Sequence, residues 1–105
     1  MAAIGIKRII YWIIFYNPMS KIKIQELSTP GCSHCASAKK ILEEEIKPNF
    51  PDVEIEYINM LSDNGQKMVQ EYGVMSSPGI IVNGELFSVG GLNKDKLVEK
   101  IKSLS

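Results

Sequence analysis

Cys32-Ser33-His34-Cys35 brings two nucleophilic side chains within reach of each other, and this 105-residue chain contains no other cysteine or histidine. A pair spaced this way can serve as a structural staple or as a redox couple. As a staple it does little, because closing so short a loop contributes only about 2 kcal/mol, near the low end for disulfides. Redox exchange needs one accessible thiolate to attack a disulfide and a second thiol nearby to release the mixed disulfide that results. An unperturbed thiol near pKa 8.5 is only about 3% thiolate at pH 7, whereas lowering it to about 6 makes it roughly 90% thiolate. The chemistry therefore requires an element that depresses one sulfur's pKa.

The flanking sequence supplies such an element. Residues 21–27 alternate, with Ile22 and Ile24 on one face, and stop at the turn formers Ser28-Thr29-Pro30-Gly31, which predicts a strand feeding a loop. From Ala36 to Ile46 good helix formers follow, and Pro48 marks the end. Cys32 thus falls at a helix start, where unpaired N–H groups and the positive end of the helix dipole favour a negative sulfur. Cys35, one turn further in, is expected to be more buried and higher in pKa, which assigns it the resolving role. His34 can stabilise the Cys32 thiolate when its imidazole is protonated, or it is an exposed polar residue of the first turn. Ser33 reads as a helix-start residue.

Downstream, Val53, Ile55 and Tyr57 alternate on one face of a second strand, far enough from the first for a strand-helix-strand crossover. Asp63 and Gln66 resemble a capping box opening a helix through Met68, Val69 and Tyr72, with Gly73 to close it. Ile80-Ile81-Val82 and Glu85–Val89 flank Asn83-Gly84, a strong signal for a two-residue hairpin turn. Asn93 can cap a last helix carrying Leu97, Val98, Ile101 and Leu104. The expected architecture is α/β, a mixed four-stranded sheet in the order β-α-β-α-β-β-α with helices on both faces.

Composition limits the remaining choices. With 45% hydrophobic residues the chain can bury one modest core. Twelve basic residues balance twelve acidic ones, so no single-sign field draws the chain to nucleic acid. Residues 1–18 form an apolar N-terminal extension in which Lys7-Arg8 precede the run Ile9–Tyr16. That run is too short to span a bilayer, which takes about 20 residues, and Tyr16-Asn17-Pro18-Met19 offers no small-residue cleavage site. Upstream sequence without a role in the fold, a membrane-associated leader and an added edge strand all stay open for it. Residues 19–105 make the folded domain, and the expected location is cytoplasmic unless residues 1–18 are a genuine leader.

Three separated segments resemble the thioredoxin and glutaredoxin superfamily: the cysteine motif on its strand-to-helix loop, Gly73-Val74-Met75-Ser76-Ser77-Pro78 before a strand, and Val89-Gly90-Gly91-Leu92-Asn93-Lys94 before the last helix. The likeness is greatest to small, minimal redox-active disulfide proteins of bacteria and archaea. It implies a thioredoxin fold and thiol-disulfide oxidoreductase activity that reduces protein disulfides, with no cofactor beyond the Cys32-Cys35 disulfide. The implied partners are protein disulfide substrates and a thioredoxin-reductase-like or glutathione electron donor, and the implied state is a monomer. The resemblance further implies a cis peptide bond at Pro78, with Ser77 offering its backbone to an extended substrate segment. Gly90 would keep the neighbouring wall low. Glu26, six residues before Cys32, stands where thioredoxins have a carboxylate that relays a proton to the resolving thiol. Its alternation with Ile22 and Ile24 favours burial, and its place near the strand end favours exposure.

The motif departs from its relatives in having Pro30-Gly31 before the cysteines and Ser33-His34 between them. A histidine at the second inner position resembles the strongly oxidising periplasmic disulfide enzymes, so the potential is open over about 150 mV. Three alternatives stand beside protein-disulfide reduction. They are glutathione-dependent glutaredoxin chemistry, metal binding by Cys32, His34 and Cys35 with a ligand from elsewhere, and a non-catalytic binding module that keeps the fold.

Overall fold

The computed structural model describes residues 22–104. The N-terminal extension at 1–18 and the domain boundary at 19 lie outside the described residues, as do Lys21 and Ser105. The elements follow in the order β1 (Ile22–Ser28), α1 (Ser33–Ile41), β2 (Val53–Asn59), α2 (Asp63–Tyr72), β3 (Gly79–Val82), β4 (Glu85–Val89) and α3 (Lys94–Leu104). The sheet order is β2-β1-β3-β4. β1 pairs parallel with β2 and antiparallel with β3, and β3 pairs antiparallel with β4. This is the expected mixed four-stranded sheet, and its central strand leads into the cysteine loop.

Alternation along the strands divides the core in two. On one face Ile22, Ile24, Val53, Ile80 and Val82 pack with Ala38 and Leu42 of the first helical segment and with Leu97 and Ile101 of α3. On the other, Leu27, Ile58 and Ile81 pack with Met68 of α2 and with Val74. Helices therefore cover both faces, and the even-numbered positions of β1 look toward α1.

Two local expectations need correction. The helix expected to run regularly to Ile46 leaves α geometry after Ile41 and continues as a π-helical turn, Leu42–Ile46. There Lys47 N–H donates to the Leu42 carbonyl at 2.9 Å, an i to i+5 bond. The wider turn buries Leu42 and Ile46 together, and Asn49 Nδ2 satisfies the Glu45 carbonyl at 2.7 Å. The second correction concerns α2, whose cap is Ser62 rather than Asp63. Asn59 sets this start, because its side chain takes the Leu61 N–H and its carbonyl takes both the N–H and the hydroxyl of Ser62. Ser62 Oγ then accepts the Gly65 N–H at 3.0 Å. Gln66, instead of closing a capping box, donates to the Met60 carbonyl at 2.7 Å.

The remaining caps and turns follow the sequence. Gly73 ends α2 in the left-handed conformation, and Asn93 Oδ1 accepts the Lys96 N–H at 3.0 Å. The Asn83-Gly84 turn also reaches across the sheet. Asn83 takes the Lys23 N–H on its side-chain oxygen and gives its own N–H to the Lys23 carbonyl, both at 2.8 Å.

Candidate active site

The cysteine pair stands where β1 hands over to α1. Cys32 is the N-cap of α1, in extended conformation, and its sulfur accepts the Cys35 N–H at 3.1 Å. A sulfur in that place receives both an otherwise unpaired donor and the positive end of the helix. Cys32 and Cys35 are joined as a disulfide. The two differ in access: Cys35 is 5% exposed, while Cys32 is only half-buried. His34 and Ser33 are exposed on the first turn.

The loop before β3 closes the other side. The Ser77–Pro78 peptide is cis, and Pro78 is fully buried. Ser77 Oγ lies 3.5 Å from Cys32 Sγ and 3.1 Å from Thr29 Oγ1, so two hydroxyls from separate loops meet beside the sulfur. Gly90 donates its N–H to the Pro78 carbonyl at 2.8 Å. At its φ of +83° a side chain would be strained, and a Cβ would stand 3.4 Å from Ser76 Oγ. The wall beside Pro78 is correspondingly low.

A cleft of about 480 Å³ runs beneath the pair and is lined by Glu26, Cys32, Cys35, Lys39 and Tyr57 among others. Glu26 is 1% exposed, which decides between the two expectations for it. Neither carboxyl oxygen has a hydrogen-bond partner among the described residues. Burial pushes its pKa up to about 7, against the opposing pull of the Lys39 ammonium. A carboxyl poised near neutrality can take up or release a proton at working pH.

Thus Cys32, Cys35, Glu26, Ser77, Pro78 and Gly90 gather around one cleft and its rim, and His34 stands at the edge. Sequence reading missed Thr29, Lys39 and Tyr57. Thr29 lies inside a run of turn formers, which gives its hydroxyl no separate signal. Lys39 carried a usable signal, since it follows Cys35 by four residues and so shares its helix face. Among the described residues, no three His, Cys, Asp or Glu side chains converge as a metal site. None of the described helices is long and apolar enough to cross a membrane.

The family described as thioredoxin domain matches this chain over residues 20–103. A thioredoxin of Methanocaldococcus jannaschii is 46% identical over 85 residues, covering 80% of this chain and 96% of that protein. A probable thioredoxin of Methanothermobacter marburgensis is 29% identical over 80 residues, covering 76% and 92%. Among solved structures, Fasciola hepatica thioredoxin superposes with a TM-score of 0.64 at 17% identity, covering 90% of this chain and 91% of its own. The oxidised mitochondrial thioredoxin 3 of Saccharomyces cerevisiae does so with 0.63 at 20% identity, covering 88% and 89%. The structural likenesses carry the fold, and the sequence matches, together with the intact cysteine pair, carry the chemistry. The chain belongs to the thioredoxin family and is a thiol-disulfide oxidoreductase.

Proposed function

We propose that the chain reduces protein disulfides, with Cys32 as nucleophile and Cys35 as resolving thiol. The observation that carries this reading is the asymmetry of the pair, a half-exposed sulfur capping a helix above a buried one. In the reduced protein the Cys35 N–H and the helix dipole favour the Cys32 thiolate. That thiolate attacks a substrate disulfide, forming a mixed disulfide and expelling one substrate thiolate. Cys35 then gives its proton to the Glu26 carboxylate and attacks the Cys32 sulfur. The Cys32–Cys35 disulfide forms and the second substrate thiolate leaves. Two electrons have passed from the protein dithiol to the substrate, and Glu26 returns its proton to water.

His34 tunes the thiolate in its protonated form. The backbone of Ser77 takes an extended substrate segment by strand addition, beside Pro78 and past the low wall at Gly90. A thioredoxin-reductase-like enzyme or glutathione restores the dithiol, and no further cofactor takes part. The working unit is a monomeric cytoplasmic domain spanning residues 19–105, with 1–18 as an extension.

Cys35→Ser is expected to accumulate a covalent mixed disulfide with a disulfide-bonded protein, and Cys32→Ser to form none. A Cys32→Ser protein that still turns over overturns the assignment. Equilibration with glutathione buffers tests direction. A potential near about −270 mV supports a reductant, and one near about −120 mV makes the chain a disulfide-forming oxidant instead.

A further inference from the structure

Lys39, Tyr57 and Glu43 form a cluster that the exchange described above does not use. The parallel register of β1 and β2 sets Tyr57 directly beside Glu26. The Tyr57 hydroxyl donates to Glu43 Oε2, and Glu43 Oε1 lies 3.4 Å from Lys47 Nζ. Lys39 Nζ stands 5.0 Å from the centroid of the Tyr57 ring. Cys35 and Lys39 are four residues apart on one helix face, and both line the cleft that also holds Glu26 and Tyr57.

We propose that Lys39 is a positioning residue for the proton on Glu26, its ammonium held over the Tyr57 ring at the cleft so as to set the pH at which Glu26 accepts the Cys35 proton. The inference rests on the relay given to Glu26 above and deepens it. A free lysine spreads its charge over many rotamers. A cation over an aromatic face is drawn to the ring's negative face, which favours the rotamers that keep it there. The hydrogen bond to Glu43 fixes the ring in turn. Burial first, and Glu43 second, hold the Tyr57 phenol well above its usual range, so Tyr57 does not compete as an acid.

Among the described residues, the other elements around Glu26 bring no rival charge. The position facing it on β3 is Ile80, and α3 contributes Leu97 and Ile101 to this side of the sheet. The titratable groups sharing its cleft are Lys39, Tyr57 and the two cysteines. A buried carboxyl without the cation would hold its proton to higher pH and could not accept another there.

The test follows the Glu26 carboxyl by 13C NMR across pH in the reduced full-length protein, with Glu26→Gln to assign the resonance. Lys39 is exposed, so Lys39→Met does not threaten the core. The Glu26 midpoint is expected to rise by about half a pH unit in Lys39→Met, to stay near the parent in Lys39→Arg, and to differ less between Lys39→Met and parent in 1 M salt. The pH profile of protein-disulfide reduction should move by the same amount. An unmoved Glu26 midpoint in Lys39→Met overturns the role of Lys39. A moved midpoint with an unmoved rate profile keeps the Lys39–Glu26 coupling and overturns the relay instead.

Discussion

Ser77 Oγ lies 3.5 Å from Cys32 Sγ, so the residue before Pro78 reaches the cysteine sulfur with its side chain. Its hydroxyl also meets Thr29 Oγ1 at 3.1 Å, and Thr29 can therefore orient it. A hydroxyl that donates to sulfur stabilises a thiolate more than a thiol.

Ser77→Ala removes that donor and leaves the backbone in place. The Cys32 thiol of the reduced variant should titrate about half a pH unit higher, or about 0.7 kcal/mol. Stabilisation of the thiolate favours the reduced form, so its loss should make the pair about 15 mV more reducing. Thiolate absorbance against pH and equilibration with glutathione measure the two effects separately.

Glu26 makes stability depend on pH in a stated direction. Its folded pKa, about 7, lies above the ordinary 4.5, so the native state holds a proton that the unfolded state has released between those values. Its contribution is fully present below about pH 4.5 and is lost as pH rises through about 7. Glu43 and Glu56, both held below the usual range by hydrogen bonds first, act in the opposite sense at lower pH. Denaturant unfolding should show Glu26→Gln level with the parent near pH 5 and about 2–3 kcal/mol more stable at pH 8.5.

The corrected cap of α2 predicts an asymmetry between neighbours. Ser62→Ala loses the acceptor for the Gly65 N–H and should cost about 1 kcal/mol. Asp63→Ala keeps that cap and loses only a favourable charge in the first turn, a loss of about 0.3 kcal/mol at an exposed site. Equal losses in urea unfolding would restore Asp63 as the cap.

Gly65 is buried in the first turn of α2, and a Cβ there would meet the backbone of Asn59 and stand 2.8 Å from Met60 Cα. Neither neighbour is a side chain that can swing away. Gly65→Ala should therefore destabilise by about 1–3 kcal/mol despite its better helix propensity. A midpoint shift in urea without a change of slope would identify it as a packing effect.

Much of this fold was legible because its signals are local. Alternation at Ile22 and Ile24 gave β1, Asn83-Gly84 gave the hairpin, and Asn93 gave the start of α3. The cysteines announced their own helix start. What escaped depended on distant partners. Glu26 carried signals for burial and for exposure at once, and the cover supplied by the first helix decides between them. Tyr57 read as a core-side strand residue, but its place beside Glu26 comes from the register between β1 and β2. The π-helical turn was hidden because Leu42-Glu43-Glu44-Glu45-Ile46 is locally a good α-helix sequence. The contact between Thr29 and Ser77 spans 48 positions, beyond any local pattern.

The latch between Asn83 and Lys23 joins residues 60 positions apart, and the β1–β3 ladder beside it spans a similar separation. The β1–β2 pairing, as at Ile22 and Val53, and the β3-β4 hairpin close shorter separations than the β1–β3 ladder, so each half is expected to form before the two join. Cys32 belongs to the first half and Ser77 and Pro78 to the second, so the site is incomplete until the halves dock. Thiol reactivity in refolding reduced protein is thus expected to act as a clock for docking, changing when the hairpin seats against β1 rather than when helices first appear.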